Sequence, residues 1–250
     1  DSESPRADMA RGAVAHGVSE ICFTDHVEPI VWGTSTPRTG EYDWAALRAQ
    51  YDEAVRLYGD RITLRLGMEL GEAYLDFPIA DHLADTAPGL DFVIGSVHTI
   101  GAENVWADAF YASRTRETAY RLYLETILLA LDSLPQLDVL GHYDFVAHYA
   151  PYTDRAMHYD DAPDVFDAIF RWLVAHGKTM EINTSAWEAD EPWGLDILRR
   201  FRELGGRFVT VGSDAHNPRA LGRRFREAGA LAEQAGLAVA FYRGHEPQLL

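Results

Sequence analysis

Short apolar runs recur along the chain, and each closes on a histidine or a carboxylate: ICFTDH at 21–26, LRLGMEL at 64–70, VIGSVH at 93–98, VLGHYD at 139–144 and VTVGSDAH at 209–216. An apolar run of this length, set between helices, predicts a buried parallel strand. The helical stretches between them end in glycine, with AHG at 15–17, YG at 58–59, AHG at 175–177, LGG at 204–206 and AG at 235–236. Glycine just past a helix takes the left-handed cap, and a histidine before it sits at the helix's negative end. The pattern predicts helices near 5–16, 42–58, 76–86, 115–133, 161–176, 193–204 and 218–234, and strands near 20–23, 62–68, 92–95, 137–140, 179–182, 208–211 and 237–240. Seven such units imply right-handed crossovers and a parallel sheet. Every strand end carries polar groups, which suits a closed or nearly closed α/β barrel better than an open sheet with ligands at one switch point. The segments at 31–44 and 149–163, rich in turn residues, read as loops on the functional face.

Length and composition bound this picture. The 250 residues, 47% of them hydrophobic, supply one large core and call for no second domain. A formal charge of -17 argues against nucleic acid or an anionic membrane as partner, because both need a cationic footprint. A phosphorylated substrate stays compatible with it, since two or three divalent ions would add roughly +4 to +6 of local charge. The one cysteine, Cys22, lies in an apolar run and reads as a buried, inert thiol in a protein of the reducing cytosol. The most apolar stretch, 122–134, is interrupted by Glu125 and Asp132, so no spanning helix is expected. The chain opens at Asp1 without methionine and enters a helix at once, so residues upstream of Asp1 are expected.

The strand ends carry the candidate chemistry. Asp214 and His216 in GSDAH are two apart, which in extended backbone aims both side chains to one side. Carboxylate with imidazole is a ligand set for zinc, manganese or iron. In TDH at 24–26, His26 is the ligand candidate, and Asp25 could orient it, act as an acid or pair with a cation. Glu69 closes an apolar run that penalises an ionised carboxylate unless a cation compensates it, and it could bridge two metals. His98 and His142 each follow an apolar strand with glycine close by. A satisfied-core role for all four histidines, 26, 98, 142 and 216, on one face is far less economical than one shared multinuclear site.

Other polar residues are read differently. His16 and His176 fit helix C-termini, His82 lies within a helix, His245 in the tail, and His148 and His158 in loops. Asn183, Thr184 and Ser185 follow a strand and could hydrogen-bond substrate oxygens, although caps and turns use the same residues. Arg155, with Arg114 and Arg116, is available for bidentate anion binding. No P-loop, dinucleotide fingerprint, nucleophile elbow or cysteine zinc knuckle occurs.

The ordered set TDH at 24–26, GMEL with Glu69, SVH at 96–98, GHYD at 141–144, EINTS at 181–185 and SDAH at 213–216, with FYRG at 241–244 as weaker support, resembles the polymerase and histidinol phosphatase (PHP) superfamily, most closely its histidinol-phosphatase branch. The resemblance runs from Asp1 to about Pro247. It implies a single-domain, distorted (β/α)7 TIM-like barrel with a trinuclear site. On that pattern Glu69 and Asp214 contact a first metal, Glu69 bridges to a second held by His98 and His142, and His26, His216 and Asp1 hold a third. The HxH motif that normally opens the family would precede Asp1. Trp187 and Glu188 stand where the phosphatase branch usually places glycine and then arginine.

The expectation is therefore a cytoplasmic, metal-dependent phosphomonoesterase spanning 1–250, using two or three divalent ions (zinc, manganese or iron) on a small phosphorylated metabolite, foremost histidinol phosphate. A metal-activated hydroxide would attack phosphorus, Asp25 would protonate the leaving alcohol, and Asn183, Ser185 and Arg155 would bind substrate. Two alternatives stay open on the sequence: action on another phosphoester, such as a nucleotide or sugar phosphate, and a degenerate, non-catalytic metal-binding barrel.

Overall fold

A computed structural model of the chain describes all residues except 1, 3, 35, 39–41, 88, 134–136 and 188–190. The chain begins with α1 (Arg6–Ala15), β1 (Glu20–Val27), α2 (Trp44–Tyr58), β2 (Thr63–Gly71), α3 (Phe77–Thr86) and β3 (Phe92–Ser96). A small hairpin, β4 (Thr99–Ile100) with β5 (Glu103–Asn104), and the short α4 (Asp108–Tyr111) precede α5 (Arg116–Leu131) and β6 (Val139–Leu140). Then come α6 (Phe145–Tyr149), α7 (Pro163–Ala175), β7 (Thr179–Asn183), α8 (Leu195–Glu203) and β8 (Phe208–Gly212). The chain closes with α9 (Phe225–Ala235), β9 (Ala238–Arg243) and β10 (Glu246–Leu249).

Seven strands pair in parallel in chain order, β1-β2-β3-β6-β7-β8-β9, and β10 adds antiparallel to β9. This is the succession of a distorted (β/α)7 barrel; among the described residues no ladder joins β1 to β10. The helices start and stop where local chemistry dictates. Asp43 caps α2 by accepting from the Ala46 N–H at 2.9 Å, and Asp76 caps α3 from Ile79 at 3.2 Å. Gly177 and Gly236 end α7 and α9 with φ of 66° and 74°, the left-handed conformation a side chain would resist. Apolar faces of α3, α5, α7, α8 and α9 cover the sheet in one continuous core that includes Tyr120, Tyr123, Phe166 and Phe170. A second cluster of Met9, Ala10, Ala13, Phe23, Ala54 and Leu64 packs α1 and α2 onto β1 and β2.

The observed elements differ from the sequence pattern in particulars. The helix expected from 218 begins only at Phe225, because Gly222 and Arg224 adopt positive φ of 70° and 56° and turn the chain. The β4–β5 hairpin, α4, α6 and β10 are too short or too polar to leave a periodic signal. Among the described residues, no helix is long and apolar enough to cross a membrane.

Candidate metal centre

Strand parity builds the site. In the β1–β2 ladder His26 stands opposite Glu69, and Asp25 opposite Met68. Side chains alternate across a strand, so His26 and Glu69 share the inner face with Cys22, Thr24 and Gly67. A Cβ placed on Gly67 would lie 3.1 Å from both Cys22 Sγ and Thr24 Cγ2. Asp25 takes the outer face with the core residue Met68, and its Oδ2 is ion-paired at 2.6 Å with Arg6 Nη2 of α1. Of the three roles open to Asp25, pairing with a cation is the one its contact with Arg6 meets; as the expected proton donor it has the opposite strand parity from His26 and Glu69 and lines the second cavity beside Arg6.

Glu69 is the hub. Its Oε1 lies 2.8 Å from His142 Nε2 and 3.0 Å from His98 Nε2, and its Oε2 lies 3.7 Å from His26 Nδ1. Ring centroids of His26 and His98 are 5.1 Å apart, those of His98 and His142 5.0 Å, and His216 stands 6.1 Å from His26. Asp214 has a φ of 48°, so the chain turns after β8 instead of running on extended, and His216 Nδ1 comes within 3.0 Å of the Asp214 carbonyl. The two still face one cavity, through a turn rather than through strand alternation. Left-handed backbone at a non-glycine residue costs roughly 1–3 kcal/mol and tends to persist where function requires it.

Asn183 and Ser185 brace this arrangement. Asn183 Nδ2 donates to Glu181 Oε2 at 3.1 Å and to Asp214 Oδ2 at 3.4 Å, while its Oδ1 accepts from the Ser185 N–H at 2.9 Å and the Ser185 hydroxyl at 2.7 Å. Glu181 Oε2 also accepts from the His142 N–H at 3.2 Å. Arg155 is placed elsewhere: its Nη1 donates to the His148 carbonyl at 2.9 Å, and it lines neither of the two cavities described here. Arg114 and Arg116 are likewise engaged, with Glu103 and with Asp161. Asp1 and Glu188 lie outside the described residues. The histidines assigned to structure hold helix ends and turns: His16 bonds the Leu221 carbonyl, His176 stacks on Trp172, and His245 pairs with Asp138.

A cavity of about 700 Å³ opens over these residues. His26, His98, Asp214, His216 and Ser185 form its floor, Trp32, Trp106, Phe145 and Tyr149 an aromatic wall, and Arg219 and Arg223 its cationic edge. A second cavity of about 650 Å³ runs through the barrel interior and reaches Glu69, His142, Glu181 and Asn183. Sequence reasoning missed the aromatic wall and the two arginines: Phe145 and Tyr149 come from the short α6, and Trp32, Trp106, Arg219 and Arg223 from loops, none with a periodic signal. It also missed Glu28 and Glu72, both buried beside the histidines. Glu28 could have been found, because it follows His26 by two along an extended chain.

The electrostatics fit a cation. Burial by itself would raise the Glu69 carboxyl, but the charge of His26 and hydrogen bonds from His142 and His98 hold it well below the usual carboxylate range. Burial works the other way on His98, and Glu69 and Glu72 overcome it to raise that imidazole well above its ordinary value. Burial pushes the Glu181 carboxyl up to about 7 and, against a 2.7 Å hydrogen bond from Trp193 Nε1, the Asp144 carboxyl up to about 6. Glu28, Glu69 and Glu72 are 2%, 6% and 0% exposed. Buried carboxylates cost several kcal/mol each unless a charge compensates them. Among the described residues, His98 Nδ1, His142 Nδ1 and Glu72 Oε2 have no hydrogen-bond partner. Two ligand groups, Glu69 with His98 and His142, and His26 with Glu28 and His98, each bring their donor atoms within 4.8 Å of one another. Imidazole and carboxylate donors so placed suit zinc, manganese or iron.

Fold and site together define a metal-binding α/β barrel, and the chain belongs to the PHP domain family, whose profile matches residues 1–185. Its relatives narrow the class. The sequence is 32% identical over 240 residues to the histidinol-phosphatase of Lactococcus lactis, covering 94% of this chain and 87% of that protein. It is 31% identical over 238 residues to a probable histidinol-phosphatase of Deinococcus radiodurans, covering 90% of this chain and 85% of that one. The fold superposes on the crystal structure of the Lactococcus lactis histidinol phosphate phosphatase with a TM-score of 0.88 and 31% identity, over 99% of this chain and 94% of that one. That crystal structure is a complex with zinc, L-histidinol and phosphate.

Proposed function

We propose that this chain is a metal-dependent phosphomonoesterase that hydrolyses histidinol phosphate to histidinol and phosphate. The observation that carries the reading is the convergence of His26, His98, His142, Asp214 and His216 around Glu69, beneath a cavity with an aromatic wall and an arginine edge. Two or three divalent ions are assigned to this site, zinc foremost, because the relative of 0.88 TM-score carries zinc. Such ions, when bound, supply Lewis-acid charge to phosphate oxygens and lower the pKa of water at the site to about 7.

The chain's own residues do the rest. Glu69, between three imidazoles, would hold the cations together with His98 and His142, which follow β3 and β6 and face it with Nε2. Asp214 and His216 bring ligands from β8, and Asn183 holds Asp214 against Glu181. Arg219 and Arg223 are placed to meet phosphate oxygens at the cavity edge, and Ser185 lines the same space. Trp32, Trp106 and Tyr149 offer faces for the imidazole and ammonium of the leaving alcohol. The test is phosphate release from histidinol phosphate by the purified protein, compared by kcat/KM with a panel of nucleotide and sugar phosphates. Histidinol phosphate should lead; a preference for another member would reject the substrate while keeping the reaction. One observation favours that second reading: Trp187 is buried against Trp193 and itself offers the cavity no cation.

A further inference from the structure

Behind the histidines lies a second layer of carboxylate. Glu72 follows β2 with a φ of 48° and is fully buried. Its Oε1 accepts the backbone N–H of His98 at 2.5 Å and of Thr99 at 3.0 Å, and stands 3.5 Å from His98 Nδ1, the ring nitrogen remote from Glu69. Glu28 enters from just past β1, with Oε1 3.3 Å from His26 Nδ1 and Oε2 3.7 Å from Arg38 Nη2. Gly71 makes this approach feasible: a Cβ there would lie 3.2 Å from His98 Nδ1 and 3.3 Å from Glu28 Cγ. Both carboxylates occupy places where an apolar side chain would be less costly to bury.

We propose that Glu28 and Glu72 are positioning residues of the metal centre, a buried anionic layer that fixes the rings of His26 and His98 and tightens the hold on a divalent cation. The inference rests on the reading of the site as a cation site. A metal-bound imidazole generally presents its other ring nitrogen to a carboxylate or carbonyl, which fixes its orientation and raises its basicity. Glu72 Oε1 stands 3.5 Å from His98 Nδ1, facing the ring nitrogen remote from Glu69, and already holds that residue's backbone N–H; Glu28 approaches the same His26 nitrogen as Glu69 and acts there through its charge. Two extra buried negative charges also lower the cost of bringing a divalent cation in, at the expense of the protein without metal.

That trade gives the test. Full-length wild-type, Glu28→Gln and Glu72→Gln proteins are loaded with zinc and titrated with a competing chelator, and each is melted with and without zinc. Both variants should bind zinc about 10–100-fold more weakly. Without zinc, both should melt higher than wild type, because the amides remove buried negative charge that His98, His26 and Arg38 meet only at 3.3–3.7 Å. Gly71→Ala, which wedges the layer apart without changing charge, should weaken zinc binding without that rise. Wild-type affinity in both glutamine variants would overturn the inference, and so would a lower melting temperature without zinc, which marks a purely structural role. Wild-type protein that takes up no zinc would overturn the cation-site reading itself, and this inference with it.

Discussion

Of the described glycines, Gly212 leaves the least room for a side chain. A Cβ at this position would stand 1.9 Å from Glu181 Oε1 and 2.8 Å from its Cδ. Ordinary contact begins near 3.5 Å, so in Gly212→Ala the Glu181 carboxyl must retreat by roughly 1.6 Å. Glu181 is buried and its other oxygen holds the His142 N–H and Asn183 Nδ2, so it cannot swing out without releasing both. Overpacking of this kind costs about 1–3 kcal/mol, and two weakened hydrogen bonds add about 0.5–1.5 kcal/mol each, which makes the total about 2–6 kcal/mol. Urea denaturation with chelator present would measure it, and the substitution should be repeated in a Glu181→Ala background. There the obstructing carboxyl is gone, and Gly212→Ala should cost less than about 0.5 kcal/mol, the limit within which independent sites add. Equal costs in both backgrounds would refute the reasoning, since the clash would then lie elsewhere.

Four further outcomes follow from the same geometry. Glu69→Gln should abolish stoichiometric zinc uptake, read by elemental analysis, and lower phosphate release by at least about 100-fold, because both His98 and His142 face its Oε1. Chelation of a zinc-loaded sample should lower the melting temperature: about 4 kcal/mol of linkage at a thousandfold excess over Kd corresponds to about 8–16 °C for a chain of this size, and an unchanged scan would contradict bound metal. Trp32→Ala should raise KM for histidinol phosphate by about tenfold and lower kcat less, since its ring lines the cavity and packs 5.2 Å from the His26 ring and 5.9 Å from that of His98 without offering a ligand atom; a fall in kcat alone would count against a substrate-wall role. Hydrogen bonds from Arg200, joined by Tyr159 and Arg171, hold the Asp167 carboxyl well below its ordinary range. Its stabilisation is therefore present above the unfolded value near 3.9 and lost as pH falls through the folded one, so Asp167→Asn should be destabilised at pH 7 by about 1–3 kcal/mol and show a flatter acid limb in unfolding experiments.

Much of the site could be read before the fold was known, for a definite reason. Buried parallel strands leave continuous apolar runs, so a histidine or glutamate at the end of such a run stands out; His26, Glu69, His98, His142 and Asp214 were all visible in this way. Asp25 misled because TDH supplies two candidates and only parity tells which one faces inward; the pairing of Asp25 with Met68 is a property of the ladder. Arg155 misled for another reason, since a loop arginine carries no sign of what it will meet, and here it meets the His148 carbonyl. Glu72 was hidden by its left-handed backbone, which breaks the alternation that would otherwise have assigned it a face. Trp32, Trp106, Arg219 and Arg223 come from three separate loops, and only folding brings them to one rim.

The split personality of β1 has an evolutionary corollary. Even-numbered positions from Cys22 to His26 face the barrel interior and end in a site imidazole, and the odd neighbours Phe23 and Asp25 serve the helical coat. Point changes can be tried on either side independently. A single inserted or deleted residue upstream in the strand would swap the two sets, sending an imidazole into the oil and an apolar ring into the ion pocket. Homologues should therefore keep the histidine and the length of this segment while residue types vary at its other positions, with insertions confined to the loops on either side.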